Sequence, residues 1–268
     1  MLRKIACLLF FCALFAACAS SPRSSARREL RLDTETASSI RHAATASGAT
    51  GSLAPATTGV VVSSLVRLAP FLVTLLEHDN KVNELGERLE ECARQAERQV
   101  NARYFGSRAP TREECSEQLE VDGCGKPITR AMLLGRQKHA VALQCAQEVL
   151  EQLWPAPFSI EQRYRYYPNA KFVETVSREE EARLIAQDCT GELWRTIKPD
   201  IVLHADRSSL RKSVLTLDFK FPCPNTNRPQ WTRYGDSSAY ARYTQLHIYR
   251  EALGGDALMI SPQTGIIP

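Results

Sequence analysis

VLTLDFKF, residues 214–221, is the stretch of sequence that decides the fold of this chain. Its apolar residues recur at the two-residue period of a β-strand, which places on one face Leu215, Leu217, Phe219 and Phe221. Asp218 and Lys220 therefore share the opposite face. A carboxylate and an ammonium on a strand that is otherwise apolar predict a polar site on that face of the sheet.

IKPDIVLH, residues 197–204, predicts a second strand with the same kind of pattern. The two-residue period places Asp200 on one face and on the other Ile197, Pro199, Ile201 and Leu203. If the two strands are neighbours, Asp200 enters the same cleft as Asp218 and Lys220. Two carboxylates at close range raise the energy of an empty site, and a divalent cation relieves it. The pair of strands therefore predicts a site for a divalent cation.

The segments on either side of these strands predict an α/β domain over residues 128–268. Thr129 is suited to cap a helix that runs from Arg130 to about Trp154 and is stopped by Pro155. The other predicted elements are a hairpin of Phe158–Tyr166 and Ala170–Val176, a helical stretch Glu179–Ala186, a helix Tyr240–Leu253 and a short strand Ala257–Ser261. This order predicts one small mixed sheet flanked by helices.

The predicted helix after Thr129 and the predicted helix Tyr240–Leu253 each carry a pair of residues four positions apart, which face the same way. The pairs are Gly135 with His139 and Gln245 with Tyr249. Gly135 would let the first helix approach the sheet closely. Arg242 extends the second pair to positions i, i+3 and i+7, a stripe of donors suited to phosphate oxygens. The alternatives are an ordinary partly buried histidine at His139 and ordinary helix-surface packing of Gln245 with Tyr249.

An acidic residue two places before a lysine is by itself a weak signal. The same spacing occurs as DNK at residues 79–81, where the context is polar and has no strand pattern. Asp218 and Lys220 are also open to the alternative of a cross-sheet ion pair. The signal is strengthened by the strand context, by Asp200 18 residues earlier on the preceding strand, and by the two helix pairs.

The full set of motifs is GxxxH from Gly135, PD at Asp200, DxK from Asp218 and QxxxY from Gln245. In this order it resembles the RecB-like branch of the PD-(D/E)xK nuclease superfamily, over the 115 residues 135–249. The resemblance implies a restriction-endonuclease-like fold for the C-terminal domain, after an N-terminal helical segment. It also implies hydrolysis of phosphodiester bonds in nucleic acid with the help of Mg²⁺ or Mn²⁺.

The resemblance assigns a role to each motif residue. Lys220 would position or polarise the attacking water. Gln245 and Tyr249 would contact the substrate backbone and brace the site, beside Arg242 of the same stripe. The implied metal ligands are His139, Asp200, Asp218 and the backbone carbonyl of Phe219.

The N-terminus predicts export and lipid attachment. Residues 1–17 have a basic start and an apolar run too short to span a membrane, which is the layout of a secretory signal peptide. Ala16, Ala17 and Cys18 resemble a bacterial lipobox, in which Cys18 would be acylated and become the mature N-terminus. The alternative is an ordinary signal peptide that is cut near Ala19. Residues 18–58, rich in Ser, Thr, Ala and Arg, predict a flexible tether.

Residues 59–127 predict a helical delivery or scaffold segment, with a domain boundary at Pro127. Within this segment, residues 60–76 are strongly apolar, and they predict either a buried helix pair or a segment that inserts into a target membrane. Residues 81–104 have the spacing of an amphipathic helix. Six cysteines follow Cys18, which permits up to three disulfides in an exported chain without fixing their connectivity.

These predictions combine into a nuclease domain on a lipoprotein of the cell envelope, in the outer membrane. The net charge of +4 falls to +2 without residues 1–17, so nucleic acid would bind at a local site rather than at a bulk cationic surface.

Because nucleic acid is absent from the outer surface of the producing cell, a toxin that acts in the cytoplasm of a recipient cell is favoured, with a separate cognate immunity protein. The combination resembles the polymorphic restriction-endonuclease-fold toxins of myxobacteria, including the swarming-inhibition lipoproteins. The alternatives are a non-enzymatic surface lipoprotein that binds a partner and a secreted scavenging nuclease.

We predict that Cys18→Ala releases the protein from the membrane fraction. The acyl chains contribute about 0.8 kcal/mol of membrane binding per buried CH₂, and they are lost with the thiol that carries them. Fractionation of cells followed by immunoblotting measures the change. Cys12→Ala, which removes a thiol from the apolar run before the lipobox, is the control and should stay in the membrane fraction. A wild-type protein that is exported but soluble and unlipidated would contradict the prediction.

Overall fold

The computed structural model describes residues 64–123, 125–186 and 193–268. The predicted signal peptide, the tether and Cys18 lie outside the described residues. The described part is a mixed α/β structure, as the sequence predicts. Its helices are α1 (Ser64–Leu68), α2 (Phe71–Leu76), α3 (Asp79–Phe105), α4 (Arg112–Ser116), α5 (Arg130–Leu153), α6 (Arg178–Ala186) and α7 (Gln245–Leu253).

The strands of the described residues form three sheets. They are β1 (Gln118–Val121), β2 (Pro127–Thr129), β3 (Phe158–Ile160), β4 (Tyr164–Tyr167), β5 (Phe172–Thr175), β6 (Thr196–Ile197), β7 (Ile201–Leu203), β8 (Leu215–Phe219), β9 (Asp256–Ser261) and β10 (Gly265–Ile267). A five-stranded sheet has the order β10-β9-β8-β7-β3, in which the β8–β9 pair is parallel and the others are antiparallel. An antiparallel sheet β5-β4-β6 and the hairpin β1-β2 are separate from it.

The five-stranded sheet is covered on both faces. One face packs against α1, α2, α3 and α5 in the larger hydrophobic core, and the other packs against α7 and the three-stranded sheet in a second core. Strand β8 follows the predicted alternation. The larger core takes up Leu215, Leu217 and Phe219, while Asp218 is buried on the side of α7. The two-residue period of this strand is therefore confirmed.

The strand predicted over residues 197–204 is interrupted, which corrects the prediction. Its first part is β6 in the three-stranded sheet, and its last part is β7 in the five-stranded sheet. The break falls at Pro199 because proline has no N–H to donate to a strand ladder. Ile197 therefore packs in the second core, whereas Ile201 and Leu203 pack in the larger core. Asp200 is left at the start of β7.

The predicted strand Phe158–Tyr166 is also two strands. β3 ends at Ile160, and β4 begins at Tyr164 in a different sheet. Glu161 between them has a φ of 46°, in the left-handed region, which turns the chain away from the first sheet. The hairpin itself is present as β4 and β5 around the 3₁₀ turn Pro168–Ala170.

The N-terminal helices share the larger core with the sheet. α3 packs along α5, and the disulfide Cys92–Cys145 joins the two helices. A second disulfide, Cys115–Cys223, joins α4 to the segment after β8. The larger core and both disulfides therefore join residues that precede the predicted boundary at Pro127 to residues that follow it. The other two cysteines that follow the lipobox lie outside the described residues.

The apolar stretch that opens the described part is a buried helix pair. α1 and α2 are separated at Pro70, and both contribute to the larger core, through Leu65, Leu72, Leu75 and Leu76. This is the first of the two alternatives for residues 60–76, observed from residue 64 onwards. In the part of the chain that the structure describes, no helix combines the length and the apolar character that a membrane crossing needs.

An ion pair is buried between α3 and α5. Lys138 is 1% exposed, and its Nζ lies 2.7 Å from Glu97 Oε2. Glu97 Oε1 accepts a second hydrogen bond of 2.7 Å from Asn101 Nδ2. Helical periodicity does not predict this pair, because the two charges come from separate helices. Since both charges are removed from water, each depends on the other for its stability.

We predict that Lys138→Met lowers the free energy of unfolding by about 3–5 kcal/mol, because the carboxylate of Glu97 would remain buried without its positive partner. Urea denaturation measures the loss. Arg98→Ala on the same helix α3 is the control, since it breaks the exposed pair of Arg98 with Glu91 and should change the stability by about 1 kcal/mol or less. The double variant Lys138→Met/Glu97→Gln, which removes the unpaired charge and keeps an acceptor for Asn101, should recover part of the loss. A single variant as stable as Arg98→Ala would contradict the prediction.

Candidate active site

Two carboxylates lie opposite each other where β7 begins and β8 ends. The antiparallel register pairs Ile201 with Leu217, which brings Asp200 opposite Asp218. Asp200 Oδ2 accepts a hydrogen bond of 2.7 Å from the backbone N–H of Phe219. Both aspartates are buried. The two strands therefore hold the acidic pair at fixed positions in the sheet.

Lys220 and Tyr249 both contact Asp218. Asp218 Oδ2 lies 2.5 Å from Lys220 Nζ, and Asp218 Oδ1 accepts a hydrogen bond of 3.1 Å from the Tyr249 hydroxyl. The ion pair that the sequence leaves as an alternative is thus present, within a larger polar network. Tyr249 is 1% exposed, which favours its predicted bracing role over direct contact with a substrate.

The amide of Gln245 links the lysine to the tyrosine. Helix α7 begins at this residue, with Thr244 as the N-cap. Gln245 Oε1 accepts hydrogen bonds from Lys220 Nζ at 2.6 Å and from the backbone N–H of Thr232 at 3.2 Å. Gln245 Nε2 donates to the Tyr249 hydroxyl at 3.2 Å. One side chain at the start of α7 therefore orients both groups that contact Asp218.

His139 reaches the acidic pair from α5. Its Nδ1 lies 3.1 Å from Asp200 Oδ2, and its ring meets Phe221 edge-on at a centroid distance of 5.2 Å. Burial alone lowers the pKa of His139, but the hydrogen bond with Asp200 and the charges of Asp200 and Asp218 outweigh burial and raise this pKa above its ordinary value. The imidazole is therefore readily protonated beside the carboxylates.

Burial and a neighbouring carboxylate both disfavour ionisation of Asp218. Burial raises the pKa of Asp218 to about 6, and the charge of Asp200 adds to the rise against the opposing effect of Lys220. Burial and the charge of Asp218 also raise the pKa of Tyr249 well above its ordinary value, so its hydroxyl keeps the proton that it donates. A cation placed near the carboxylates would favour their ionised form.

The loop between β8 and α7 adds a residue to the site that the sequence does not predict. The ring centroid of Trp231 lies 5.5 Å from Lys220 Nζ, and its ring meets that of Tyr249 edge-on at 6.0 Å. Trp231 comes from a segment without helical or strand periodicity, so no local pattern indicates its contact with the site. Its aromatic face favours a cation, which helps to hold the ammonium of Lys220 in place.

Two predictions about α5 and α7, the helices that carry the motif pairs, are wrong. The second helix begins at Gln245 and not at Tyr240, because Arg242 has a φ of 74° and a left-handed residue does not continue an α-helix. Arg242 is exposed in the preceding turn and shares no helical stripe with Tyr249. A Cβ at Gly135 would meet no atom within 4 Å, so no close approach of α5 requires glycine there.

The donor atoms of the site are those that a hard divalent cation accepts. Carboxylate oxygens suit Mg²⁺ and Mn²⁺, and an imidazole nitrogen is also accepted by Mn²⁺. The site offers the carboxylates of Asp200 and Asp218 and the imidazole of His139. Across residues 64–123, 125–186 and 193–268, no group of three or more His, Cys, Asp or Glu side chains is arranged to hold a metal ion. His139 contacts Asp200, while Asp218 turns to Lys220. A metal would therefore share the carboxylate of Asp218 with the ammonium.

We predict that His139→Ala lowers the affinity for Mn²⁺ by about 10- to 100-fold, because the imidazole both offers a ligand and orients Asp200. Isothermal titration calorimetry measures the affinity without any need for turnover. Gln245→Ala, which alters the contact with Lys220 and leaves the carboxylates in place, should keep the affinity. His78→Ala, at an exposed histidine before α3, is the control. Equal affinities of wild type and His139→Ala would make His139 an ordinary partly buried histidine.

Comparison of the chain with protein-family models, with curated proteins and with solved structures gives no significant match. The function is therefore argued from the contacts that join the motif residues. The structure brings together six of the motif side chains, which are His139, Asp200, Asp218, Lys220, Gln245 and Tyr249.

Proposed function

We propose that this chain is a metal-dependent nuclease whose C-terminal part has the PD-(D/E)xK restriction-endonuclease-like fold. One observation carries the proposal. Side chains from four motifs, spread over the 115 residues 135–249, meet in a single network of hydrogen bonds and ion pairs around two opposed carboxylates. A buried acidic pair beside an oriented ammonium is the arrangement that metal-assisted attack on a phosphodiester needs.

The residues that would hold the metal are Asp200, Asp218, His139 and the backbone carbonyl of Phe219. When bound, Mg²⁺ or Mn²⁺ would neutralise the charge of the phosphate and lower the pKa of the attacking water. The chain prepares for this by keeping the two carboxylates in place before the cation arrives. Asp200 is fixed by the N–H of Phe219, and Asp218 by the hydroxyl of Tyr249.

Lys220 supplies an oriented cation at the same point. Its ammonium is held at 2.5 Å from Asp218 Oδ2 and at 2.6 Å from Gln245 Oε1, so two acceptors fix its position. A water or a phosphate oxygen that comes to this ammonium meets a donor that needs no reorganisation, and such preorganised donors stabilise developing negative charge. Lys220 would thus orient the attacking water, as its place in the DxK motif implies.

We further propose that the nuclease is exported as an outer-membrane lipoprotein and acts as a toxin on nucleic acid in the cytoplasm of a recipient cell. The two disulfides of the described residues support an exported chain, since such bonds form and persist in oxidising compartments. A cognate immunity protein would protect related cells. The competing function, a lipoprotein that binds a partner without chemistry, does not require two carboxylates to be buried opposite each other.

We predict that Asp218→Asn and Lys220→Ala each lower nuclease activity by about 100-fold or more, because each removes a preorganised charge from the reacting groups. The full chain, purified from an oxidising compartment so that both disulfides form, is incubated with plasmid DNA and with RNA in Mg²⁺. EDTA should abolish the activity. The double variant should be little worse than either single variant, since the residues act as a unit.

The matched control for this experiment is Lys81→Ala. It removes the lysine of the other DxK spacing of the chain, DNK at residues 79–81, which lies exposed on α3. Its activity should equal that of the wild type. Wild-type protein that cleaves neither DNA nor RNA in Mg²⁺ or Mn²⁺ would favour the partner-binding function, and activity of Asp218→Asn within a few-fold of the wild type would show that the site is elsewhere.

A further inference from the structure

The indole of Trp231 carries a buried N–H group without an acceptor among the described residues. An indole nitrogen can only donate a hydrogen bond, so exchanging the two ends of an amide or turning a hydroxyl, as elsewhere in a protein, does not supply the missing partner. Such a donor destabilises the empty folded protein, because water pairs with the same N–H in the unfolded chain.

Trp154 shows how a buried indole is ordinarily paired. Its Nε1 donates a hydrogen bond of 3.2 Å to the carbonyl of Pro157. Buried tryptophans usually have such a partner, and native proteins keep few buried donors without one. The unpaired N–H of Trp231 is therefore a candidate for contact with a ligand.

Direct contacts place the ring of Trp231 in the candidate active site. Its centroid lies 5.5 Å from Lys220 Nζ, and it meets edge-on, at 6.0 Å, the ring of Tyr249, whose hydroxyl contacts the acidic pair. The next residue, Thr232, is fixed by Gln245. Its N–H donates to Gln245 Oε1 at 3.2 Å, and its carbonyl accepts from the N–H of Gln245 at 2.9 Å. The unpaired donor therefore belongs to a ring that is held beside the ammonium.

The donors in this region fit an anion. The ammonium of Lys220 has three N–H groups, and the acceptors that contact it in the described part of the chain are Asp218 and Gln245. One N–H of the ammonium is thus left for a ligand, next to the ring that carries the indole N–H. A phosphate offers several oxygens to such donors. A metal ion is excluded as the ligand of these two groups, since neither has a lone pair to give.

We infer that Trp231 binds the substrate, by donating a hydrogen bond from Nε1 to an oxygen of the phosphate that comes to Lys220. A hydrogen bond to a charged oxygen is stronger than one between neutral groups, so it offsets the cost of the unpaired donor in the empty protein. Gln230 and Thr232, on either side of Trp231, are both exposed, so a small movement of this loop uncovers the donor. The inference rests on the proposed nuclease function, which supplies the phosphate.

The NMR signal of each indole N–H tests this contact directly, because the chain has three tryptophans. The full chain is labelled with ¹⁵N in its indoles, and the signals are assigned with Trp154→Phe, Trp194→Phe and Trp231→Phe. Thymidine 5′-monophosphate is titrated at a fixed concentration of Mg²⁺, which offsets the repulsion between the phosphate and the carboxylates. The signal of Trp231 should move downfield, while that of Trp154, whose N–H already has an acceptor, should stay. Thymidine, which lacks the phosphate, should move neither.

Trp231→Phe, which keeps an aromatic face and removes the N–H, then separates binding from stability. By calorimetry it should bind the mononucleotide about 10-fold more weakly than the wild type, because one hydrogen bond to a charged oxygen is lost. In urea denaturation it should lower the midpoint less than Trp154→Phe does, since it breaks no hydrogen bond of the empty protein. Trp154→Phe is the matched control for binding and should keep the affinity of the wild type.

The outcomes separate this inference from the proposed nuclease. A Trp231 signal that does not respond to the mononucleotide, or equal affinities of wild type and Trp231→Phe, would overturn the inference even if the protein cleaves nucleic acid. A response of Trp231 that needs the phosphate, in a protein that cleaves neither DNA nor RNA, would support the anion site and overturn the proposed nuclease.

Discussion

Two buried carboxylates that face each other on neighbouring strands are the constraint around which this structure is organised. The register of β7 and β8 brings Asp200 opposite Asp218, and like charges in that relation destabilise a sheet. The neighbouring groups compensate for the repulsion with donors and positive charge, from the N–H of Phe219, the imidazole of His139, the ammonium of Lys220 and the hydroxyl of Tyr249. The acidic pair thus explains why polar side chains are buried here, between two hydrophobic cores.

The compensating groups come from both sides of the five-stranded sheet, so the site depends on the whole arrangement of layers. α7 packs in the second core and contributes Gln245 and Tyr249, whereas α5 packs in the larger core and contributes His139. The position of α5 is in turn fixed by α3, through the buried pair of Lys138 with Glu97 and through a disulfide. The helices before residue 127 therefore support the residue that contacts Asp200, and the protein is best studied with them in place.

Features that depend on local periodicity could be predicted from the sequence. Features that depend on tertiary contacts or on the backbone angle of a single residue could not. The alternation in β8 and the capped helix that begins after Thr129 are both visible in the sequence and present in the structure. The breaks at Glu161 and Arg242 depend on left-handed backbone angles at residues that are not glycine, which no pattern indicates. Trp231 joins the site from a loop, and only the fold brings it to Lys220. Asp218 and Lys220 were predictable from the two-residue period of β8, and Gln245 with Tyr249 from the four-residue spacing on a helix. Asp200 follows a break at Pro199 that this period does not indicate.

We propose that the opposed carboxylates form a metal site at which phosphodiester hydrolysis takes place. The most direct measurement is a crystal structure of the full chain grown with Mn²⁺, with diffraction data collected at a wavelength that gives an anomalous signal from manganese. We expect an anomalous peak within coordination distance of Asp200 and Asp218, with His139 or the carbonyl of Phe219 among the ligands. A structure at saturating Mn²⁺ in which Lys220 alone still neutralises Asp218, with no peak between the two aspartates, would contradict it.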